Sequence, residues 1–124
     1  MMDLPKEMKL CQTVCWSMIS SGRPSFRWFP EGGLVEHASS GFFDVRIPLT
    51  TVAAFCNSCV AASMLDLVSP TLNYEVSKIG SLPLTDSIES NASIDLLARQ
   101  SVELSKLDWD SFETSWHFKR HPLL

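Results

Sequence analysis

Four cysteines are the first residues whose types and spacing could carry chemistry. They form two close pairs, Cys11 with Cys15 and Cys56 with Cys59. Zinc prefers four soft ligands in a tetrahedron, and paired cysteines can supply them. The second pair, however, lies inside a strong helical pattern and lacks the Gly and Pro turns of zinc knuckles. A redox pair would need a helix N-terminus after a strand, whereas a turn of helix is predicted to precede Cys56. Buried thiols acting as small apolar residues are the other interpretation, and no metal ligand is assigned.

Two arginines in a loop rich in Gly and Pro form a second candidate group. Gly22, Pro24 and Pro30 exclude a helix over residues 20–33 and predict a protruding loop of fixed shape. The planar guanidinium groups of Arg23 and Arg27 suit a phosphate or a guanine edge. The alternatives are a solvated loop or ion pairs of these arginines, and the possible ion-pair partners are Glu31 and Glu36.

Acidic and aromatic residues alternate in the tail, residues 108–124. The side chains concerned are Asp108, Trp109, Asp110, Phe112, Glu113 and Trp116. Grouped carboxylates could bind a metal ion for nuclease chemistry, but that chemistry would normally add a lysine and a strand scaffold, which the pattern lacks. We therefore expect the aromatics to dock an extended tail onto the domain, with the Trp N–H groups finding polar partners.

Length and composition limit the function classes. The chain has 124 residues, of which 45% are hydrophobic, so a single domain over residues 1–124 with a real core is predicted. A net charge of −4 argues against a generally basic nucleic-acid-binding domain. The apolar stretch at residues 52–68 is too short and too polar to span a bilayer. Because the N-terminus also lacks an apolar signal core, a cytoplasmic protein without membrane contact is predicted.

The pattern of predicted strands and helices, which must position the candidate residues, indicates an α+β fold with a small, mostly antiparallel sheet. Proline and glycine limit the strands, and alternation marks them. Two main helices are predicted over residues 50–68 and 86–107, the second starting with a capping box of Asp86 and Glu89. Its predicted apolar stripe is Ile94, Leu97, Ala98, Ser101, Leu104 and Leu107. The extended segments are predicted at 11–20, 25–29, 34–48 with a bend at 39–41, and 72–84.

Three long stretches, taken together, resemble one region of a known family. They are WSMISSGRPSFRWFPEG at 16–32, FCNSCVAASMLDLVSPTLNYEVSKIGSLPL at 55–84 and DWDSFETSWHFKRHPLL at 108–124, of which DWDSFETSW, Phe118 and the final PLL carry the match. The family is the large adenine-N6 DNA methyltransferases of BREX-type phage-resistance systems (PglX-like), with related fused restriction–modification enzymes. The resemblance covers roughly residues 12–124. It implies a recognition-like core at about 12–107, followed by the tail.

The resemblance also shows what this stretch of sequence lacks. The family binds S-adenosylmethionine through a Gly-bearing loop after a strand and holds the flipped adenine with an N-P-P-[YF] motif, and neither is found here. The chain is therefore expected to be non-catalytic alone and to need no cofactor. Cys59 stands where the family often has Lys, and His117 stands where Asp is frequent. The cysteines are not part of the family pattern.

What the resemblance implies is a DNA target-recognition region, which positions a duplex by phosphate contacts and reads base edges. The implied DNA contacts are Arg23, Arg27, Ser21 and Ser25, with Lys78, Lys119 and Arg120 as second choices. Three hypotheses stay open. The chain is a DNA specificity fragment that binds DNA weakly or pairs with a separate catalytic methyltransferase chain. Alternatively it is a protein-interaction module, partner-binding or self-associating through Trp109, Phe112 and Trp116. The third hypothesis is a small zinc-binding protein.

Overall fold

A three-stranded antiparallel sheet and five helices make up the computed structural model, which describes residues 10–34, 38–43 and 45–124. The strands are β1 (Thr13–Ser17), β2 (Arg27–Phe29) and β3 (Ser39–Phe42), with β1 in the centre of the order β2-β1-β3. The helices are α1 (Leu49–Cys56), α2 (Cys59–Val68), α3 (Val76–Gly80), α4 (Asp86–Glu89) and α5 (Ala92–Trp109). The predicted α+β class is confirmed.

The core forms where the central strand meets the first helices. Val14 lies opposite Trp28 on one side and Phe42 on the other, and its side chain is fully buried. The Trp16 ring packs against Phe26 and Phe42, with centroid distances of 5.6 and 5.1 Å. Helices α1 to α3 close this cluster with Val52, Ala53, Phe55, Cys56, Ala61, Leu65 and Ile79. Because alternate residues of β1 face this cluster, the strand is specified by its own pattern.

The helix predicted over residues 50–68 is wrong in one respect, because it is two helices. Helices α1 and α2 are bent by 68° at a break formed by Asn57 and Ser58. Ser58 caps α2 by accepting a hydrogen bond from Ala61 N–H at 3.2 Å. Serine and asparagine compete for backbone hydrogen bonds and therefore favour helix ends over helix interiors. Among the described residues no single helix is long and apolar enough to cross a membrane, and only this bent pair passes that test when its two members are combined.

Two of the predicted extended segments are also corrected. The predicted bend at 39–41 is strand β3, which pairs with β1 from Ser17↔Ser39 to Val14↔Phe42. Residues 35–37 and 44 of that segment, with the proposed ion-pair partner Glu36, lie outside the described residues. Of segment 72–84, only the start is extended, with a bridge between Ile19 and Asn73, and the rest contains α3. The hydrogen bond from Tyr74 N–H to Met18 O, at 2.7 Å, fixes that start.

The helix predicted at 86–107 is likewise interrupted. Helix α4 starts after Thr85 and has no side-chain cap, so the predicted capping box of Asp86 and Glu89 does not form. Glu89 instead accepts from Arg46 at 3.1 Å. The long helix α5 begins after Asn91, whose side chain accepts from Ser93 N–H at 3.0 Å.

The predicted apolar stripe of this helix divides into two faces. Ala98 is buried, whereas Leu97, Leu104 and Leu107 are all more than half exposed. Helix α5 packs mainly on α1, and its leucine-bearing side is uncovered within the described structure. Apolar spacing alone does not say which of two faces a neighbour covers.

Candidate nucleic-acid interface

The loop that carries both arginines, residues 20–27, is fixed at Phe26 by the side chain of Asn57. The amide Nδ2 of Asn57 donates to Phe26 O at 2.7 Å, and its Oδ1 accepts from Phe26 N–H at 3.1 Å. The same Nδ2 donates to Ala53 O at 2.9 Å, at the end of α1. The Asn57 side chain therefore hydrogen-bonds both to the end of α1 and to the loop. Its two bonds to the Phe26 backbone resemble the paired N–H and C=O bonds between neighbouring strands.

A second support holds the beginning of this loop. The Tyr74 hydroxyl donates to Gly22 O at 3.3 Å. The buried Trp16 Nε1 in turn donates to Tyr74 O at 2.9 Å. Phe26, which is 4% exposed, packs its ring on Trp16. The loop is thus fixed at both ends by side chains from β1, the α1–α2 break and the segment before α3.

Both predicted arginines are exposed at this fixed loop. Arg23 lies 3.9 Å from a carboxylate oxygen of Asp66, and both side chains are largely in water. Such an exposed, long ion pair contributes about 0–1 kcal/mol. Arg27 lies on β2 opposite Cys15 and makes no ion pair with any residue that the structure describes. The alternative of ion pairs with Glu31 is not observed, so the positive charges remain available to solvent.

A shallow cavity of about 200 Å³ lies beside Arg23, at the break between the two helices. Its lining comprises Arg23, Pro24, Cys56, Asn57, Ser58, Cys59, Ala62 and Leu65. The first residues of α2 therefore share a surface with the Arg23 side chain. The Arg23 guanidinium group therefore lies beside the positive end of the α2 dipole, an arrangement that suits an anion.

The remaining predicted contacts are not all gathered at the loop. Ser21 and Ser25 are exposed members of it. Lys78 is half-buried on α3 and lies four residues after the supporting Tyr74. Lys119 and Arg120 are exposed in the tail, and neither makes an ion pair within the described structure. The tail pair has no observed connection to the loop, so it does not extend the same site.

The cysteines do not form a metal site in the parts of the chain that the structure describes. All four are in those parts, yet no group of three or more His, Cys, Asp or Glu side chains could hold an ion there. Burial raises the pKa of the Cys56 thiol to about 12, so it stays protonated at neutral pH. Burial also raises the pKa of Cys15, against the opposing effect of the Arg27 charge. A protonated thiol is a poor nucleophile, so these two cysteines do not suit redox or covalent chemistry.

The glycine pair after the loop does not fit a cofactor site either. Gly32 has a positive φ of 98° in a turn, and the next described element is the strand β3. A dinucleotide-type or methyl-donor loop requires a helix whose N-terminus meets the ligand. The residues present therefore do not fit an S-adenosylmethionine loop at this position.

The tail forms turns with local hydrogen bonds, which corrects the prediction that it is extended. Asp110 accepts hydrogen bonds from Lys106 Nζ and from Ser115 Oγ, and these two bonds lower its pKa, the lysine having the larger effect. The Ser115 hydroxyl also accepts from His117 N–H at 3.1 Å. Trp116 is 100% exposed, and Trp109 and Phe112 are more than half exposed. The acidic residue organises the turn, while the aromatics stay at the surface.

Comparison with known proteins gives two similar sequences, although no protein-family model matches the chain. The adenine-specific methyltransferase PglX of Lacticaseibacillus casei (strain Zhang) is 34% identical over 114 residues, which are 91% of this chain and 9% of that protein. The adenine-specific methyltransferase BrxX of Escherichia coli O9:H4 (strain HS) is 29% identical over 122 residues, 96% of this chain and 10% of that protein. The chain is homologous to one segment of these methyltransferases. It spans about a tenth of the length of the curated relatives it matches.

Sequence reasoning missed the two residues that fix the arginine loop. Asn57 and Tyr74 both lie in the 55–84 stretch that resembles the methyltransferases, but neither was assigned a role. A signal for Asn57 was present, because an Asn-Ser pair is unfavourable inside a helix. No local signal pairs Tyr74 with Gly22, since the two are 52 positions apart.

Proposed function

We propose that the chain is a DNA target-recognition fragment related to an adenine-N6 methyltransferase of a phage-defence or restriction–modification system. It contacts DNA through residues 20–27 and does not transfer methyl groups by itself. The homology to segments of PglX and BrxX supports a link to these methyltransferases. Catalysis would come from a methyltransferase region outside these residues, because they contain no cofactor loop and no N-P-P-[YF] motif.

The observation that carries this proposal is the arginine loop, which is rigid at its ends and charged at its surface. Asn57 and Tyr74 fix its backbone, while Arg23 and Arg27 keep their guanidinium groups exposed. A loop held in one shape loses little conformational entropy on binding. Arginine pairs with phosphate or guanine through two parallel hydrogen bonds, so a fixed position makes such contacts specific as well as attractive.

The net negative charge of the chain limits the DNA affinity that we expect. With a net charge of −4, long-range attraction to a duplex is weak, and binding depends on local contacts. We therefore expect weak affinity at moderate salt and a clear gain at low salt. Each phosphate contact adds about 0.9 to the slope of log affinity against log salt.

Fluorescence anisotropy with a short mixed-sequence duplex at several salt concentrations tests the proposal. The double variant Arg23→Ala with Arg27→Ala should weaken binding and lower the salt slope by about two phosphate equivalents at most. The control variant Arg46→Ala with Arg99→Ala removes the same charge elsewhere and should bind nearly as wild type. Equal binding by wild type and the Arg23/Arg27 variant, with both folded by circular dichroism, would contradict the proposal.

A second candidate function, a protein-interaction module, is favoured by the exposed aromatics of the tail. Trp116 is fully exposed, and Trp109 and Phe112 expose 56% and 53% of their surface. Aromatic side chains of this kind anchor protein interfaces. The natural partner to test is a catalytic methyltransferase chain of the PglX or BrxX type. Size-exclusion chromatography of the mixture should show a complex that Trp116→Ser weakens; an unchanged complex, or no complex, would remove this candidate.

A further inference from the structure

Helix α5 has a second apolar face, on the side opposite its contact with α1. The inner side contains the buried Ala98 and Asp95, which accepts a hydrogen bond from the Thr50 hydroxyl of α1. The outer side carries four leucines that are 58%, 62%, 67% and 67% exposed, namely Leu96, Leu97, Leu104 and Leu107. We call these four the outer face of α5. At about 100° per residue they fall within roughly 100° of the helix circumference, with the centre about 150° from Ala98.

This face is unlike a helix surface that only meets water. Solvated faces normally carry charged and polar residues, and four leucines in one stripe predict a covered surface. Among the described residues, α5 packs extensively only on α1. The outer face therefore has no covering element in the part of the chain that the structure describes.

We propose that the outer face of α5 pairs with the same face of a second copy of this chain, with the two helices antiparallel. A two-fold interface brings residue i of one copy to residue j of the other, and j to i. A two-fold axis at the helix position between residues 101 and 102 exchanges Leu96 with Leu107 and brings Leu97 within one residue of Leu107, whereas Leu104 has no leucine counterpart. Leu96 and Leu97 near one end would therefore meet Leu107 of the other copy, and Leu104 would pack beside Gln100.

The charges on one flank of the outer face suit this arrangement. Arg99 and Glu103 lie on the same flank and border a common surface depression with Gln100 and Leu104. Because like flanks meet in an antiparallel pair, Arg99 of each copy faces Glu103 of the other. Arg99 already donates from Nε to Asp95 at 2.7 Å, but a guanidinium has five N–H donors, so its remaining ones can reach a second carboxylate.

The other possible occupant is a methyltransferase chain, since the relatives are about ten times longer than the matched segment. The observations favour a second copy, because the match of Leu96 and Leu97 with Leu107 and the complementary charges of Arg99 and Glu103 are both properties of a self-matching surface. This inference does not depend on the proposed DNA contacts, which lie on a different loop.

Light scattering over a range of protein concentrations provides the first test. We expect twice the monomer mass at high concentration. Leu97→Lys with Leu104→Lys should give a monomer at every concentration, whereas Leu67→Lys with Leu72→Lys, which changes two exposed leucines outside α5, should keep the dimer. Circular dichroism checks that each variant is folded. A wild-type chain that stays monomeric overturns the proposal and leaves a methyltransferase chain as the occupant.

A charge exchange tests the antiparallel register directly. In a dimer of the Glu103→Arg variant, Arg99 of each copy faces an arginine at position 103 of the other copy. In a dimer of the Arg99→Glu variant, a glutamate at position 99 faces Glu103. Each variant alone should therefore dimerise less than wild type. Mixed together they should form a heterodimer, since every facing pair then has opposite charges. A dimer that ignores both substitutions, or that Trp116→Ser disrupts while the leucine variant does not, overturns the proposed face.

Discussion

Residues 13–84 and residues 86–124 are stabilised in different ways. The first region is held by contacts between residues far apart in sequence, such as the hydrogen bond from Trp16 to Tyr74, 58 positions along the chain. The second consists of two helices and a turned tail, in which most bonds join residues three to five positions apart, such as Arg99 with Asp95 and Ser115 with Asp110. Side-chain hydrogen bonds that join the second region to the first include Thr50 with Asp95 and Arg46 with Glu89.

The difference teaches that an apolar residue can have opposite roles in the two regions. Leu65 on α2 is 1% exposed and is part of the core. Leu104 on α5 is 67% exposed, although its sequence setting is equally helical. Burial of one stabilises the fold, whereas exposure of the other leaves apolar surface for association.

Truncating these two leucines should give the largest contrast. Leu65→Ala removes a fully buried side chain and should lower the free energy of unfolding by about 2–5 kcal/mol. Leu104→Ala changes an exposed site and should alter it by no more than about 0.5 kcal/mol in the monomer. Urea unfolding at low protein concentration measures both. Equal losses would show that α5 is covered in the folded monomer and would end the comparison.

The asparagine that joins loop and helices should have the next largest effect. Asn57→Ala removes three hydrogen bonds, each worth about 0.5–1.5 kcal/mol, so we expect a loss of roughly 2–3 kcal/mol. Asn91→Ala is the matched change in the second region, where one cap bond is lost, at a cost of about 1 kcal/mol. Urea unfolding gives both values. An Asn57 variant as stable as the Asn91 variant would mean that the loop is not held as observed.

Alanine substitutions at two glycines, Gly41 in β3 and Gly22 in the arginine loop, test how closely the sheet is packed. A Cβ at Gly41 would lie 2.6 Å from Thr13 Oγ1, which is bonded to Phe42 O at 2.9 Å. Gly41→Ala should therefore destabilise the fold by about 1–3 kcal/mol. Gly22→Ala meets nothing within 4 Å and should be neutral or slightly stabilising. Thermal melting of the two variants compares them, and equal melting temperatures would contradict the packing around β1 and β3.

The smallest predicted effect is a pH dependence of the junction between α1 and α5. Hydrogen bonds from Thr50 and then Arg99 lower the pKa of Asp95 in the folded chain. The stability this provides is fully present above the ordinary carboxyl pKa of about 4 and is lost as the pH falls through the lowered value. Asp95→Asn should flatten this acid dependence by a few tenths of a kcal/mol, as expected for an exposed i,i+4 pair. Asp108→Asn is the control. An Asp95→Asn variant whose stability depends on pH as the wild type's does would show that Asp95 does not stabilise this junction.

Much of the site could be predicted from local pattern because its signals are local. Alternation predicted β1, and β2 falls within the extended segment predicted at 25–29. Glycine and proline predicted the loop that carries Arg23 and Arg27, and both arginines are exposed there. The roles of those arginines in DNA binding stay a prediction.

The supports of that loop could not be predicted in the same way. Asn57 reaches Phe26, 31 positions away, and its bonds compete with continuation of the helix. A helical pattern extends over residues 50–68 whether or not such a competitor exists, so only the assembled fold shows the break. The same holds for residues 72–84, where pairing with residues 18–20 ends and α3 begins.

The sequence by itself determined the α+β class, the strand β1, the helical nature of residues 92–107 and the similarity to adenine-specific methyltransferases, because alternation, helical spacing and matched residues are properties of the chain alone. Only the tertiary structure decided that α1 and α2 separate at Asn57, that the tail turns on Asp110, and that the leucines of α5 lie on one uncovered face. The physical reason is that burial and long-range hydrogen bonds depend on which neighbour is present. A neighbour 30 to 60 positions away in the sequence does not change the local spacing of apolar and polar residues.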